Sequence, residues 1–125
     1  MGTWAAGPFE NDAALDFTDD IATQLVEAVE SFVRSPRIDG GFDEAFAAVG
    51  LLNVIAKGSD SFGMAGSPIT VPEPGDARRW RAAMLECFDE QIEELSPKAG
   101  FVEAQRAKLV EHLDRLVATA EATHA

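Results

Sequence analysis

Between Ala45 and Ala56 the chain reads AFAAVGLLNVIA, apolar at every position but Gly50 and Asn53. The run is about a dozen residues, too short for the ~20 that a membrane-spanning helix needs. It follows Asp39-Gly40-Gly41, with Asp43 or a neighbour as helix cap, and continues to Lys57-Gly58. A helix apolar almost all round is buried on several sides, so this segment is predicted to be central. Ala47, Ala48 and Gly50 would let neighbouring helices approach it closely.

Three further segments supply those neighbours. The first begins near Asn11, a good N-cap, with Asp12 in the first turn where the helix dipole favours a carboxylate. Its apolar positions are Leu15, Ile21, Ala22, Leu25, Val29 and Phe32, mostly three or four apart, and Ser35-Pro36 ends it. Thr18-Asp19-Asp20 could cap a fresh start, which would split it into two helices meeting at a bend. The third helix runs from about Asp76 to Leu95, with Trp80, Met84, Cys87, Phe88, Ile92 and Leu95 on one side. Ser96-Pro97 and Gly100 break the pattern, and a last helix from about Val102 to Ala122 carries Val102, Leu109, Leu113, Leu116 and Ala120.

Long amphipathic helices joined by short polar breaks describe an all-α, antiparallel bundle of four main helices. The 125 residues suit a single helical domain over 1–125, with residues 1–10 as an anchored lead-in. Residues 58–75 are dense in Gly, Ser and Pro and read as a long loop between helices two and three. Ile69-Thr70-Val71 could extend as a strand, but the prolines on both sides argue against a sheet.

The formal charge is −12, from 22 Asp and Glu against 10 Lys and Arg. Such a surplus repels phosphate, which disfavours nucleic acid and anionic membranes as partners and suits a basic protein. Cys87 is the only cysteine, so no intrachain disulfide and no CxxC metal pair exist. The start lacks a signal-peptide pattern and Ala6 breaks the myristoylation pattern, so a cytoplasmic protein is expected.

Two carboxylate clusters stand out. In the first, Asp12, Asp16 and Asp20 fall four apart and would share a helix face near Glu10 and Asp19. Like charges so placed are relieved by a cation, and Glu10, Asp12 and Asp16 could form a divalent oxygen site. A solvated face with a favourable dipole is the plainer alternative. The second cluster is Glu86, Asp89, Glu90, Glu93 and Glu94, a docking patch for a basic surface unless Arg78, Arg79 and Arg81 neutralise it. Trp4 and Phe9 frame Gly7-Pro8 as aromatic anchors, and Trp4 could instead sit at a partner surface.

Catalytic patterns are missing: there is no GxSxG, HExxH or Walker-type loop, and no cofactor motif. Glu121 and His124 have the Glu-x-x-His spacing of di-iron bundles, but two copies would be needed. A Cys87–His112 nucleophilic pair would need an activated thiol that nothing nearby supplies.

The opening MGTWAAGPFENDAALDF resembles a bacterial family known as domain of unknown function 4259, whose members start like MGAWGxGxFENDDALDW. Matching letters are Met1, Gly2, Trp4, Gly7, Phe9, Glu10, Asn11, Asp12, Ala14, Leu15 and Asp16. A looser likeness covers Glu44-Ala45-Phe46-Ala47-Ala48. Thr3, Ala5, Ala13 and Phe17 depart from the family's usual Ala, Gly, Asp and Trp. The resemblance implies no activity. The expectation is therefore a non-enzymatic interaction module, toxin-neutralising or regulatory, against a carboxylate-rich metal-binding protein or metal-dependent enzyme.

Overall fold

The computed structural model describes residues 12–61 and 71–124, with the side chains at 12, 15 and 58–61 outside that description. The aromatic lead-in with Gly2, Trp4, Gly7, Phe9, Glu10 and Asn11 therefore lies outside the described residues, as do the side chains of Asp12 and Leu15. Four α-helices follow in order: α1 (Asp12–Arg34), α2 (Gly40–Ser61), α3 (Pro74–Gln91) and α4 (Phe101–Thr123). A 3-10 turn, Ile92–Leu95, extends the end of α3.

Local chemistry sets the ends. α1 continues as one helix through Thr18-Asp19-Asp20, so the alternative of two helices does not hold. The Thr18 hydroxyl donates back to the Ala14 carbonyl (2.9 Å) and Thr23 to that of Asp19, so neither caps a new helix. At the start of α2 the capping acceptor is Asp39 rather than Asp43: its Oδ1 takes the Gly41 N–H at 2.8 Å. Pro74 opens α3 at a position where its missing N–H costs nothing. Ser96 and Gly100 take left-handed backbone angles, φ 47° and 81°, and turn the chain into α4.

α1 and α2 form one antiparallel hairpin and α3 and α4 another. Glu30 of α1 reaches Trp80 of α3, and the turn after α1 reaches Gln91 at the end of α3, so α1 and α3 run the same way. α2 packs on α1 and α4, which leaves α2 and α3 diagonally opposed. That explains why their connection is long: it must join helices that are not neighbours.

The core lies where the four stripes converge. Val29, Phe32, Phe42, Val49, Leu52, Trp80, Met84, Phe88, Leu109, Leu113 and Leu116 are buried. Phe42 is its hub, with ring centroids 5.8 Å from Phe32, 6.3 Å from Phe46 and 6.0 Å from Phe88. Two expected core positions are corrected, since Ile21 and Leu95 are exposed. Leu95 falls in the 3-10 turn, where the change from about 3.6 to 3.0 residues per turn rotates it off the α3 stripe. α2 is expected to be central, but among the described helices it packs chiefly on α1 and α4, with Ala47, Leu51 and Val54 facing outward.

Candidate functional site

The second acidic cluster lies along the outer side of α3 and its 3-10 extension. Glu86, Glu90, Glu93 and Glu94 are exposed there, and none forms an ion pair with another described residue. Asp89 belongs to a different seam. Arg106 of α4 grips its carboxylate with two bonds (2.8 and 3.0 Å), which holds Asp89 below the usual carboxylate range.

The arginines that could have neutralised this cluster point elsewhere. Arg78 pairs with Glu121 (2.9 Å) and Arg81 with Asp114 (2.7 Å), both on α4. Arg79 binds Glu30 of α1 and Asp76 (3.0 Å). Helical spacing explains the split: a basic triplet within four residues fans over two sides of α3, toward α1 and toward α4. The remaining side keeps its four glutamates.

The tertiary structure adds a fifth carboxylate that sequence reasoning missed. Asp39, in the turn between α1 and α2, joins Glu90 and Glu94 around Cys87, and these charges add to burial in raising the thiol's pKa. Gln91 holds that turn in place. Its Oε1 accepts the buried Ile38 N–H at 3.0 Å, and its Nε2 lies 3.4 Å from the Pro36 carbonyl. An open depression of about 530 Å³ results, lined by Pro36, Arg37, Ile38, Asp39, Gln91 and Glu94. The only sequence signal was the Asp-Gly-Gly turn; nothing in the linear order set it beside residue 91.

The other expectations fare differently. Of Glu10, Asp12 and Asp16, only Asp16 has a described side chain, and it is exposed. Among the described residues no group of three His, Cys, Asp or Glu side chains is placed to hold a metal ion. Glu121 and His124 both brace the bundle: Glu121 takes Arg78, and His124 Nε2 lies 3.0 Å from the Val71 carbonyl. Cys87 sits under the α1–α2 turn beside Pro36, whereas His112 stacks edge-on against Phe46 on the α2–α4 seam (6.0 Å). They form no pair, and a thiol whose pKa is raised is a poor nucleophile.

That seam carries a second feature the sequence left unread. Asn53, only 5% exposed, donates to the His112 carbonyl at 3.0 Å while its Oδ1 finds no partner among the described residues. Gln105 Oε1 and His112 Nδ1 are likewise buried without one.

Among the described residues, fold and site together define a helical bundle with an acidic edge and open depressions. Among the described residues no helix is long and apolar enough to cross a membrane. The chain belongs to the family described as Domain of unknown function (DUF4259), which it matches over residues 2–124. Comparison with curated proteins and with solved structures gives no match.

Proposed function

We propose that this chain is a non-enzymatic, cytoplasmic protein-binding module that offers its acidic edge to a basic surface of another protein. The observation that carries this reading is the division of labour among the charges. Arg78, Arg79, Arg81 and Arg106 are all spent on α1, α4, Asp76 or Asp89, while Glu86, Glu90, Glu93 and Glu94 keep no basic partner among the described residues. A single-sign edge raises the association rate with a complementary surface and disfavours phosphate-bearing ligands. Covering a basic surface that another protein uses would neutralise or regulate that protein. Trp4 is a second contact in this reading, on the enrichment of tryptophan at partner surfaces alone, since it lies outside the described residues.

The test compares tagged wild-type chain with the variant Glu90→Lys, Glu93→Lys, Glu94→Lys as bait in cell extract. Carbodiimide then joins partner lysines to nearby carboxylates, and mass spectrometry locates the joined residues. We expect a basic protein joined at Glu86, Glu90, Glu93 or Glu94, lost with the variant and weakened by salt. Equal capture by the variant, or joining confined to other carboxylates, would overturn the reading.

A further inference from the structure

The outward face of α2 calls for an occupant. Leu51 is 51% exposed and Val54 66%, and Ala47 is exposed beside them. Phe17 (67% exposed) and Ile21 extend the patch onto α1. The Phe32–Phe42 ring contact sets the register of this antiparallel hairpin, and stepping eleven residues from each places Ile21 level with Asn53. Five exposed apolar side chains therefore belong to this hairpin, three of them on the outward flank of α2.

Along that flank the residues Asp43, Ala47, Gly50, Val54 and Lys57 recur at intervals of four, three, four and three. That is the heptad spacing that keeps one stripe of a helix against a partner helix. Gly50 lies at its centre. A Cβ added there would meet nothing within 4 Å among the described residues, so no contact with them requires glycine, although a mid-helix glycine costs roughly 0.5–1 kcal/mol against alanine. Beside it Asp43, Phe46 and Ala47 line an open apolar recess of about 330 Å³. With Gly50 these residues are the i, i+3, i+4 and i+7 positions that make a hole for a knob from a facing helix.

We propose that the occupant is a second copy of this chain, joined through α2 by a two-fold axis at Gly50 with the two α2 helices antiparallel. That register sets Val54 of the partner subunit over the recess at Asp43, Phe46 and Ala47, and symmetry repeats the contact. It also sets Asp43 against Lys57 of the partner subunit, twice. A parallel pairing would oppose like charges at both ends, so the charges select the antiparallel one. Gly50 faces itself across the axis, where a missing side chain lets the two backbones approach closely. A helix of this length gives a seam of about 33 Å. A single helix pair of that length is small against the ~1,200–2,000 Å² of stable interfaces, so association is weak and concentration-dependent. The acidic edges remain free on the two outer sides of the pair.

Sedimentation velocity of the full chain over a wide concentration range tests this. The wild type should shift from monomer to dimer in the micromolar range. Val54→Arg, at an exposed position, should leave helicity unchanged, and melting too at concentrations where the wild type is monomeric, and should abolish the shift. Asp43→Lys and Lys57→Asp should each weaken the dimer by about tenfold or more, since each sets up two like-charge contacts. The double swap, Asp43→Lys with Lys57→Asp, should restore it. A monomer at all concentrations would overturn the proposal, as would a dimer indifferent to Val54→Arg. Single reversals that the swap fails to rescue would overturn the register. Both results are independent of the acidic-edge reading, whose variants lie on α3 and its 3-10 turn.

Discussion

Replacing Glu30 tests how α1 is bonded to α3. Trp80 is fully buried, and its indole N–H donates to Glu30 Oε1 at 2.8 Å. The same carboxylate accepts Arg79, and that bond is the first cause of its lowered pKa. In Glu30→Ala the buried indole N–H loses its acceptor, a loss of about 1–3 kcal/mol when such a donor is left unsatisfied. The Glu30 side chain is 29% exposed, so water can reach part of the vacated space and the low half of that range applies. The exposed Arg79 pair adds at most about 0.5–1 kcal/mol, because Arg79 keeps Asp76. The sum is about 2 kcal/mol. For a domain of this size, each kcal/mol moves the melting temperature by about 3–5 °C. Glu30→Ala should therefore melt about 6–10 °C lower. Glu30→Gln, which keeps an acceptor for Trp80, should lose about half of that.

The assay is thermal unfolding by circular dichroism, with tryptophan fluorescence in a Trp4→Phe background so that Trp80 alone reports. Acid adds a second readout. The folded pKa of Glu30 lies below the ordinary 4.5, so its contribution is full above that value and is lost as pH falls through the folded one. Wild type should thus lose more stability than Glu30→Gln as the solution is acidified below pH ~5. If Glu30→Ala melts within a degree or two of wild type, or if Gln and Ala are equally damaging, the hydrogen-bond account fails.

Other consequences follow from the same geometry. Gln91→Ala leaves the buried Ile38 N–H without its acceptor and should lower stability by about 1–2 kcal/mol, read by urea unfolding, whereas Gln91→Glu keeps an acceptor and should cost less. Cys87, with its pKa raised by burial and then by Asp39, Glu90 and Glu94, should alkylate with iodoacetamide far more slowly in the folded chain than in urea; equal rates would show the thiol to be open. Melting in Mg²⁺, Ca²⁺, Mn²⁺ or Zn²⁺ should match melting in chelator, and a rise that Asp16→Asn removes would instead favour the carboxylate site at Glu10, Asp12 and Asp16.

The helices themselves were legible in the sequence because their signals are local. Stripes such as Leu109, Leu113, Leu116 and Ala120 recur at helical spacing and are all buried. Stops such as Ser35-Pro36 act through the backbone of the residues that carry them. Ile21 was misread for a physical reason. It shares helical spacing with Leu25, but α1 points it along the flank of α2, and only the crossing of two helices decides which edge of an apolar stripe stays wet. Gln91, Asp39 and the destinations of the three arginines were equally hidden, since each is set by a partner between 33 and 55 residues away.

The apolar run of α2 shows where composition and topology part. A helix apolar all round would be expected to have neighbours all round. Because α2 and α3 are diagonal, α2 has two flanking helices among the described residues, which leave one stripe of it outside. Charge makes that stripe informative. Leu51 and Val54 would be easy to replace with Glu or Lys in a chain that already carries 22 acidic residues, yet α2 carries no charged residue between Asp43-Glu44 and Lys57. Solubility alone does not account for an apolar centre with opposite charges at its two ends. An antiparallel neighbour with the same sequence needs both features at once, which is why the double swap of Asp43 and Lys57, rather than the loss of either, is the decisive measurement.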